Sequence, residues 1–305
     1  MKSWIDQLAG HQVIVVGDIV LDEYLTGRAT RMSREAPIPV LEFESRRLIP
    51  GGAANPAANI ATLGSTALQV AVVGADESAD QLRLTLAERS IDSSGLVIDP
   101  DRPTTVKTRV MAHMGLRFPQ QVARLDRLSR EPVSSQIVAA VGQVIEQRVG
   151  SANAVLVSDY RTGMLTPQLV DHIRERAHEQ RNVPLLAADA QGELAKYRGF
   201  DLVKCNAQEA RSYLGVSVKS EDAFAEAATT LLHQLELTRA MVITRGGDGA
   251  TLATHDETVH CPAPAVLDVY DTVGAGDTAI AVMTLGLVAG MSAQEAVMLA
   301  NYASG

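Results

Sequence analysis

The 305-residue chain is long enough for one large α/β domain or two modest ones, and its 46% hydrophobic and 21% charged residues are those of an ordinary soluble protein. A net charge of −9 argues against non-specific binding to nucleic acid or to an anionic membrane, and an aromatic fraction of 4% argues against a surface that stacks bases. The N-terminus lacks the apolar core of a signal peptide, and the longest near-apolar stretch, around 279–291, is too short to cross a bilayer, so we predict a cytoplasmic protein.

A buried strand at 13–16 is the first element that the sequence predicts, because four consecutive β-branched residues run into a Gly-Asp turn. Asp18 stands at the carboxyl end of this strand, where open α/β sheets bind their ligands. An aspartate that caps a turn is the structural alternative at this position. Asp18 is therefore a candidate ligand contact.

The segments 37–43, 104–113 and 121–126 alternate apolar and polar residues, and prolines flank the first of them. This pattern is typical of exposed or edge strands outside a central parallel sheet. We expect a small antiparallel sheet, called the lid here, built from about 19–49 and 102–127.

Two cations of the lid, Lys107 and Arg109, are two residues apart, so they project from the same face of their strand. Two adjacent cations are able to clamp a phosphate group. The arginines of the first lid segment are read as solvated edge residues.

A glycine pair, Gly51 and Gly52, precedes a run of small residues with Pro56 near its start, which predicts a helix N-terminus packed very close to a neighbour. Asn55 and Asn59 are four residues apart and share one face of that helix. Amides in an alanine-rich stretch favour contacts with sugar hydroxyl groups. The alternative role for Asn55 is that of a helix cap.

From Leu68 onward, predicted strands alternate with predicted helices. The strands are expected at 68–74, 153–159, 184–189, 201–205 and 240–244, and the helices at about 78–89, 133–148, 167–180 and 221–236. This alternation is typical of a mainly parallel sheet with helices on both faces. No repeat or linker divides the chain, so a single domain spanning 1–305 is expected.

Polar residues follow several of these strands, namely Asp159, Asp189 and Asn206, together with the glycine-rich segment 244–249. Asn206 suits a helix N-cap and Glu209 lies at the third helical position, so a capping box is the structural reading of this pair. Glu209 is also able to hold magnesium through water. The glycines of 246–249 suit either a hairpin turn or the close approach of a nucleotide.

The segment 271–278, Asp-Thr-Val-Gly-Ala-Gly-Asp-Thr, is the strongest chemical signal in the chain. The amides of Gly274, Ala275 and Gly276 lie where an apolar helix begins, and a helix N-terminus is a ready anion site. A carboxylate there is a poor anion ligand but a good proton acceptor beside a neutralised phosphate. We therefore interpret Asp277 as the general base of a phosphoryl transfer.

The same segment satisfies the G-x-G-x-x-A dinucleotide fingerprint. Too few residues follow it to complete a dinucleotide half-domain, and Asp277 would face a pyrophosphate, so this match is interpreted as a decoy. The chain contains no P-loop, no G-x-S-x-G elbow and no metal-ligand spacing among its histidines. Cys205 and Cys261 lie outside any C-x-x-C pattern and are expected to be buried, reduced thiols.

These motifs resemble those of the ribokinase-like (PfkB) carbohydrate kinases, whose second signature is similar to 271–278 and whose first is similar to 51–55. The likeness runs in order over essentially the whole chain. Within the family, 17–22, 31–40 and 102–109 resemble the D-glycero-β-D-manno-heptose-7-phosphate 1-kinases. The resemblance implies an α/β fold, a three-layer sandwich with a mainly parallel central sheet and a small antiparallel β lid.

The resemblance also implies the roles of individual residues. Asp277 would be the catalytic base, with Gly274, Ala275 and Gly276 as the anion hole. The sugar side is expected to comprise Asp18, Gly51, Gly52, Asn55 and Asp159, with Lys107 and Arg109 on the 7-phosphate. The nucleotide side is expected to comprise Asn206, Thr244, Gly246, Gly249 and Asn301, with Glu209 linked to the metal.

The cofactors implied are ATP and Mg2+, and the need for a monovalent cation stays open. The partners expected are a sugar phosphate and ATP, with no nucleic acid or membrane, and a homodimer formed through the lid. Two features depart from the heptose-kinase pattern: Thr162 replaces a lysine before Gly163, and 114–119 is an insertion in the lid. No H-x-G-H motif is present, so no nucleotidyltransferase activity is expected.

Three further hypotheses stay open on the sequence alone. The chain is a ribokinase-family kinase for another sugar, a non-catalytic sugar or nucleotide sensor, or a dinucleotide-dependent oxidoreductase that uses the G-x-G turn. Release of ADP with a panel of sugars separates the first two, and NADH fluorescence on mixing tests the third.

Overall fold

A nine-stranded sheet forms the centre of the computed structural model, which describes residues 2–115, 118–264 and 274–304. Its strands follow the spatial order β13-β12-β11-β10-β9-β8-β1-β4-β5. They are β1 (Gln12–Gly17), β4 (Thr66–Val73), β5 (Asp92–Ile98), β8 (Ala154–Ser158), β9 (Leu185–Asp189), β10 (Leu202–Asn206), β11 (Ala240–Thr244), β12 (Ala250–Ala253) and β13 (Thr258–Cys261).

The strands from β5 to β11 are parallel, and β12 and β13 extend the sheet with antiparallel pairs. In the middle of the sheet, Val16 lies opposite Val70 of β4 and Val157 of β8. All three side chains are fully buried, as is expected where helices cover both faces of a parallel sheet. The predicted parallel sheet is confirmed, and every strand predicted within it is present.

Nine helices of at least one and a half turns occur in the described ranges. They are α1 (Lys2–Gln7), α2 (Ala54–Thr62), α3 (Glu77–Ala87), α4 (Ser135–Arg148), α5 (Pro167–His178), α6 (Ala207–Leu214), α7 (Glu221–Gln234), α8 (Ala275–Val288) and α9 (Ala293–Ser304). Helix α8 packs on both α2 and α9, and α4 packs on α5. Helix α8 is buried almost all round, in agreement with its uniformly apolar sequence.

The lid is a separate four-stranded sheet in the order β3-β2-β6-β7. Its strands are β2 (Ile19–Met32), β3 (Pro39–Gly52), β6 (Val106–His113) and β7 (Gln120–Arg127). The outer pairs are antiparallel, as predicted, whereas β2 and β6 are parallel to each other. The parallel pairing arises because both strands leave the central sheet in the same direction, β2 directly after β1 and β6 after β5.

Two features of the fold were not predicted. The edge strand β5 has polar residues and a glycine in its first half, so it gives no clear strand pattern. The strands β12 and β13 are only four residues each. The glycine-rich turn between β11 and β12 does join an antiparallel hairpin, which was one of its two sequence interpretations.

Both cysteines, Cys205 and Cys261, are buried and unbonded, as predicted. No helix in the described part of the chain combines the length and the apolar character that a bilayer crossing requires.

The buried and exposed faces of α3 provide a stability test with an internal control. Leu82 is fully buried, whereas Leu84 of the same helix is 66% exposed. Leu82→Ala leaves a cavity and is expected to lower the free energy of unfolding by about 2–5 kcal/mol. Leu84→Ala is expected to change it by less than about 0.5 kcal/mol, since surface positions tolerate substitution. Urea unfolding of both variants checks this, and equal midpoints would contradict the packing described.

Candidate active site

The N-termini of α2 and α8 meet at the carboxyl edge of the central sheet. Neither helix has a side chain that caps its first turn. In contrast, α3, α4, α5, α6 and α7 are each capped by an Asp, Ser, Thr or Asn side chain. Because the first N–H groups of a helix have no intrahelical acceptor, an uncapped turn is suited to donate to a ligand. The turn of α8 is the candidate, since Pro56 in the first turn of α2 has no N–H group and Ala53 and Ala54 are fully buried.

The glycine turn before α8 begins at Gly274, whose φ of 86° is in the left-handed region that favours glycine. A Cβ atom on Gly274 would meet no described atom within 4 Å, whereas one on Gly276 would lie 2.9 Å from Lys204 Nζ. Gly274, Ala275 and Gly276 are each half-buried, and the anion hole that their amides were predicted to form stays a prediction. Residues Asp271–Val273 of the same motif lie outside the described residues.

The Asp277 carboxylate lies in the first turn of α8 and is 6% exposed. Its Oδ2 accepts a hydrogen bond from Asn55 Nδ2 at 2.9 Å, and its Oδ1 accepts one from the Tyr160 hydroxyl at 2.6 Å. Burial raises the pKa of Asp277 above its ordinary value, and the two hydrogen bonds oppose that rise. A carboxylate with these properties is suited to accept a proton.

Helix α2 is joined to α8 by the two asparagines that the sequence placed on one face. Asn55 donates to Asp277, and one turn later Asn59 Nδ2 donates to Thr278 Oγ1 at 3.1 Å. The shared face is confirmed. The asparagines use their amide N–H groups on α8, and the contact with a sugar hydroxyl group stays a prediction.

The Asp18 carboxylate lies at the end of β1 and is 2% exposed. Its Oδ2 accepts hydrogen bonds from the backbone N–H groups of Tyr160 at 2.9 Å and Thr162 at 3.0 Å. Its Oδ1 is buried and has no hydrogen-bond partner among the described residues. Burial raises the pKa of Asp18, since the charged form loses its hydration. An unsatisfied buried acceptor at this edge suits a ligand hydroxyl donor.

The glycine pair at the end of β3 is required by close contacts. A Cβ atom on Gly52, whose φ is 61°, would lie 2.4 Å from the Asp18 carbonyl oxygen. A Cβ atom on Gly51 would lie 2.2 Å from Asp22 Oδ2. The glycines therefore let the lid strands return to the sheet beside Asp18.

The Asp159 carboxylate is fully engaged inside the protein. Its Oδ2 accepts from Lys196 Nζ and from the Tyr197 hydroxyl, each at 2.7 Å, and its Oδ1 accepts from the Arg161 N–H group at 2.8 Å. These contacts hold the loop after β8 in place. A direct contact between Asp159 and the substrate stays a prediction.

A buried ion pair lies below the glycine turn, and the sequence reading did not find it. Lys204 Nζ of β10 is 2.6 Å from Asp189 Oδ2 of β9 and 3.3 Å from the Gly276 carbonyl oxygen. The lysine is 5% exposed. A lysine between Val203 and Cys205 in a buried strand was the available signal, because a buried cation requires a partner.

A cleft of ≈ 430 Å³ lies between β10, α6 and the β11–β12 turn, on the side where the nucleotide is predicted to bind. Three of the predicted residues, Asn206, Thr244 and Gly246, line it. Gly249 and Asn301 are not among its lining residues. Asn301 Nδ2 instead donates to the carbonyl oxygens of Cys261 and Pro262, and a Cβ atom on Gly249 would lie 2.2 Å from the Cys261 carbonyl oxygen.

Glu209 forms the capping box that its spacing suggested. Its Oε2 accepts from the Asn206 N–H group at 2.6 Å, and Asn206 Oδ1 accepts from the Glu209 N–H group at 2.9 Å. Burial raises the pKa of Glu209. No cluster of three or more metal-ligating side chains occurs in the described ranges. The metal contact of Glu209 therefore stays a prediction.

The two lid cations share one face of β6, as expected, but their surroundings differ. Lys107 Nζ lies 6.0 Å from the centre of the Tyr160 ring and has no ion pair or hydrogen bond with any described residue. The Arg109 guanidinium pairs with Asp22 Oδ1 at 2.5 Å and lies over the Tyr24 ring. Lys107 is thus the cation that is available to a ligand beside the site.

The chain matches known proteins over nearly its whole length. Residues 11–305 match the pfkB family of carbohydrate kinases. A bifunctional protein HldE of Geotalea uraniireducens is 37% identical over 295 residues, which cover 96% of this chain and 59% of that protein. A bifunctional protein HldE of Trichlorobacter lovleyi is 37% identical over 306 residues, which cover 100% of this chain and 61% of that protein. The chain spans about three-fifths of the length of these curated relatives.

Solved structures share the fold. Phosphofructokinase-2 from Escherichia coli in complex with fructose-6-phosphate superposes with a TM-score of 0.75 at 18% identity, over 97% of this chain and 92% of that chain. Ribokinase from Arabidopsis thaliana complexed with ribose and ATP superposes with a TM-score of 0.71 at 18% identity, over 97% and 91%. The expected ribokinase-like architecture is confirmed.

Removal of one member of the buried pair is expected to be costly. Lys204→Met leaves Asp189 buried without a cation, which should lower the free energy of unfolding by about 3–5 kcal/mol. Asp189→Asn combined with Lys204→Met removes both charges, so the double variant should lower the free energy of unfolding much less. Thermal unfolding of the single and double variants checks this. A double variant as unstable as the sum of two single variants would contradict the ion pair.

Proposed function

Since the chain belongs to the PfkB family and is a sugar kinase, we propose that it phosphorylates D-glycero-β-D-manno-heptose 7-phosphate at O1 with ATP. The product would be the 1,7-bisphosphate, a precursor of ADP-heptose and of the lipopolysaccharide core. Relatives named HldE at 37% identity support this substrate. Those relatives are bifunctional by name and longer than this chain, so only the kinase reaction is proposed.

One observation carries the proposal: the buried Asp277 carboxylate stands in the first turn of α8, which no side chain caps. In the proposed reaction, the sugar O1 attacks the γ-phosphorus of ATP, and the bond from that phosphorus to the ADP oxygen breaks. Asp277 accepts the proton of the attacking hydroxyl group. The amides of Gly274, Ala275 and Gly276 stabilise the charge that develops on the transferred phosphoryl group.

Asp18 and Asn55 are proposed to orient the sugar. The unpartnered Asp18 Oδ1 suits a sugar hydroxyl donor. Tyr160 contacts the carboxylates of both Asp18 and Asp277, so the two carboxylates lie close to the same sugar site. Orientation of this kind converts a bimolecular step into an effectively unimolecular one.

The nucleotide is proposed to occupy the cleft lined by Asn206, Thr244 and Gly246. Glu209 suits Mg2+ because this ion is usually held through one or two carboxylates, water and substrate phosphates rather than by a full protein cage. One of its oxygens serves the capping box, which leaves the other for the metal or its water. When bound, Mg2+ neutralises charge on the nucleotide phosphates.

The lid is proposed to cover the sugar and to exclude water, which suppresses hydrolysis of ATP. Its large apolar side chains are exposed and would bury their surface in a homodimer formed through the lid. These side chains are Met32, Ile38, Phe43, Val122 and Leu125.

Activity with a panel of acceptors tests the proposed function. Release of ADP should be fastest with the heptose 7-phosphate and slower with fructose 6-phosphate or ribose.

Asp277→Asn should lower turnover by at least about 10²–10⁴-fold, because the amide accepts no proton, while ATP binding is retained. Turnover near that of the wild type in Asp277→Asn would contradict the assignment of the base. A preference for another sugar in the acceptor panel would contradict the heptose substrate but not the kinase activity.

Lys107 is expected to bind the distal phosphate of the acceptor. Lys107→Ala should raise KM for the sugar phosphate by roughly tenfold or more, in line with the loss of a charge-assisted hydrogen bond, with little change in KM for ATP. Arg109→Ala should also raise KM for the sugar phosphate, and this variant leaves Asp22 without its ion-pair partner. The matched control is Arg46→Ala, since Arg46 pairs with Glu23 and Gln81 on the other face of the lid. An unchanged KM for the sugar phosphate in Lys107→Ala would overturn the assignment.

A further inference from the structure

Tyr160, the second residue after β8, contacts two carboxylates of the active site at once. Its backbone N–H group donates to Asp18 Oδ2 at 2.9 Å, and its hydroxyl group donates to Asp277 Oδ1 at 2.6 Å. One residue therefore bridges the end of β1 and the first turn of α8. The sequence analysis predicts no role for this tyrosine.

The Tyr160 hydroxyl is a permanent donor in this position. Burial and the neighbouring carboxylates of Asp277, Asp189 and Asp22 raise its pKa far above the ordinary value for a phenol. The phenol therefore keeps its proton at every pH at which the protein works. Lys107, which lies over the ring at 6.0 Å, is the cation that faces it.

The groups that face Asp277 come from β9, α2, β10 and the loop after β8, and they have opposing effects. Burial and the negative charge of Asp189 on β9 favour the protonated acid. The Tyr160 hydroxyl, the Asn55 amide of α2 and the Lys204 ammonium of β10 favour the carboxylate. Among these three, the hydrogen bond from Tyr160 has the largest effect.

We propose that Tyr160 is the positioning residue of this kinase, whose hydroxyl group holds Asp277 ionised and in the orientation that accepts the proton of the sugar. This inference rests on the proposed function, in which Asp277 is the base. Tyr160 keeps its own proton throughout, and the proton released by the sugar hydroxyl group passes to Asp277 as the new O–P bond forms and the bond to ADP breaks.

Two hydrogen bonds fix the carboxylate plane without blocking it. Tyr160 holds Oδ1 and Asn55 holds Oδ2, so rotation of the Asp277 side chain would break both. Each carboxylate oxygen has two lone pairs, so one remains on each oxygen for the incoming proton.

The test is the pH dependence of the single-turnover rate of phosphoryl transfer in Tyr160→Phe. Loss of the hydroxyl group raises the pKa of Asp277, so a larger share of the base is protonated and inactive at low pH. The rate on the acidic side should fall on the order of tenfold, the effect of one hydrogen bond to a charged group. The deficit should shrink as the pH rises, because the base is then ionised in both proteins.

Tyr197→Phe is the matched control. It removes a tyrosine hydroxyl that donates to a buried aspartate at 2.7 Å, but that aspartate is Asp159. The control should leave the acidic limb of the pH profile in place. A fluorotyrosine incorporated at position 160 is the second variant, because it keeps the ring and the hydroxyl group but is a stronger donor. It should move the acidic limb to lower pH, opposite to Tyr160→Phe.

The possible outcomes separate this inference from the proposed function. Turnover near that of the wild type in Asp277→Asn would overturn the base and with it the role of Tyr160. The predicted large loss in Asp277→Asn together with an unshifted profile, or with an equal loss at every pH, in Tyr160→Phe would overturn only the inference. If Tyr160→Phe does not fold, the direction of the shift in the fluorotyrosine variant decides, and no shift would overturn the inference.

Discussion

The N-terminal turns of α2 and α8 meet through two amide hydrogen bonds, from Asn55 to Asp277 and from Asn59 to Thr278. Each helix N-terminus carries a partial positive charge, so two such ends at close range repel each other and favour an anion between them. The Asp277 carboxylate supplies part of that negative charge. No side chain caps either turn, and the amides of the α8 turn are the ones proposed to bind a ligand. The paired helix N-termini therefore place the proposed anion site next to the Asp277 carboxylate.

The remaining features of the site support this arrangement. The Asp189–Lys204 pair and the Gly276 carbonyl oxygen hold the turn of α8 on the central sheet. Glycines at 51 and 52 let the lid join the sheet beside Asp18. Several buried charges therefore lie at one edge of the protein, where each costs desolvation free energy. The apolar core of the nine-stranded sheet offsets that cost, since its strands are buried on both faces.

Local sequence patterns predicted much of the fold and several residues of the candidate site. Short apolar runs that alternate with helical segments predicted the parallel strands, and the four-residue spacing of Asn55 and Asn59 predicted a shared helix face. Asp277 was singled out by its glycine turn. Contacts between distant segments were not predictable in the same way. Tyr160 and Lys204 act through partners more than 70 residues away, Asp277 and the Gly276 carbonyl oxygen. The parallel pairing of β2 with β6 likewise depends on where two distant strands leave the sheet. Gly249 and Asn301 received nucleotide roles from resemblance, whereas their visible contacts are with the chain around Cys261.

The most direct measurement is a crystal structure of the protein with a non-hydrolysable ATP analogue, Mg2+ and the heptose 7-phosphate. The account predicts that an Asp277 carboxylate oxygen lies within about 2.6–3.2 Å of the anomeric hydroxyl oxygen, with the γ-phosphate at the amides of Gly274–Gly276. A sugar hydroxyl group out of reach of Asp277, or a γ-phosphate bound away from that turn, would contradict it.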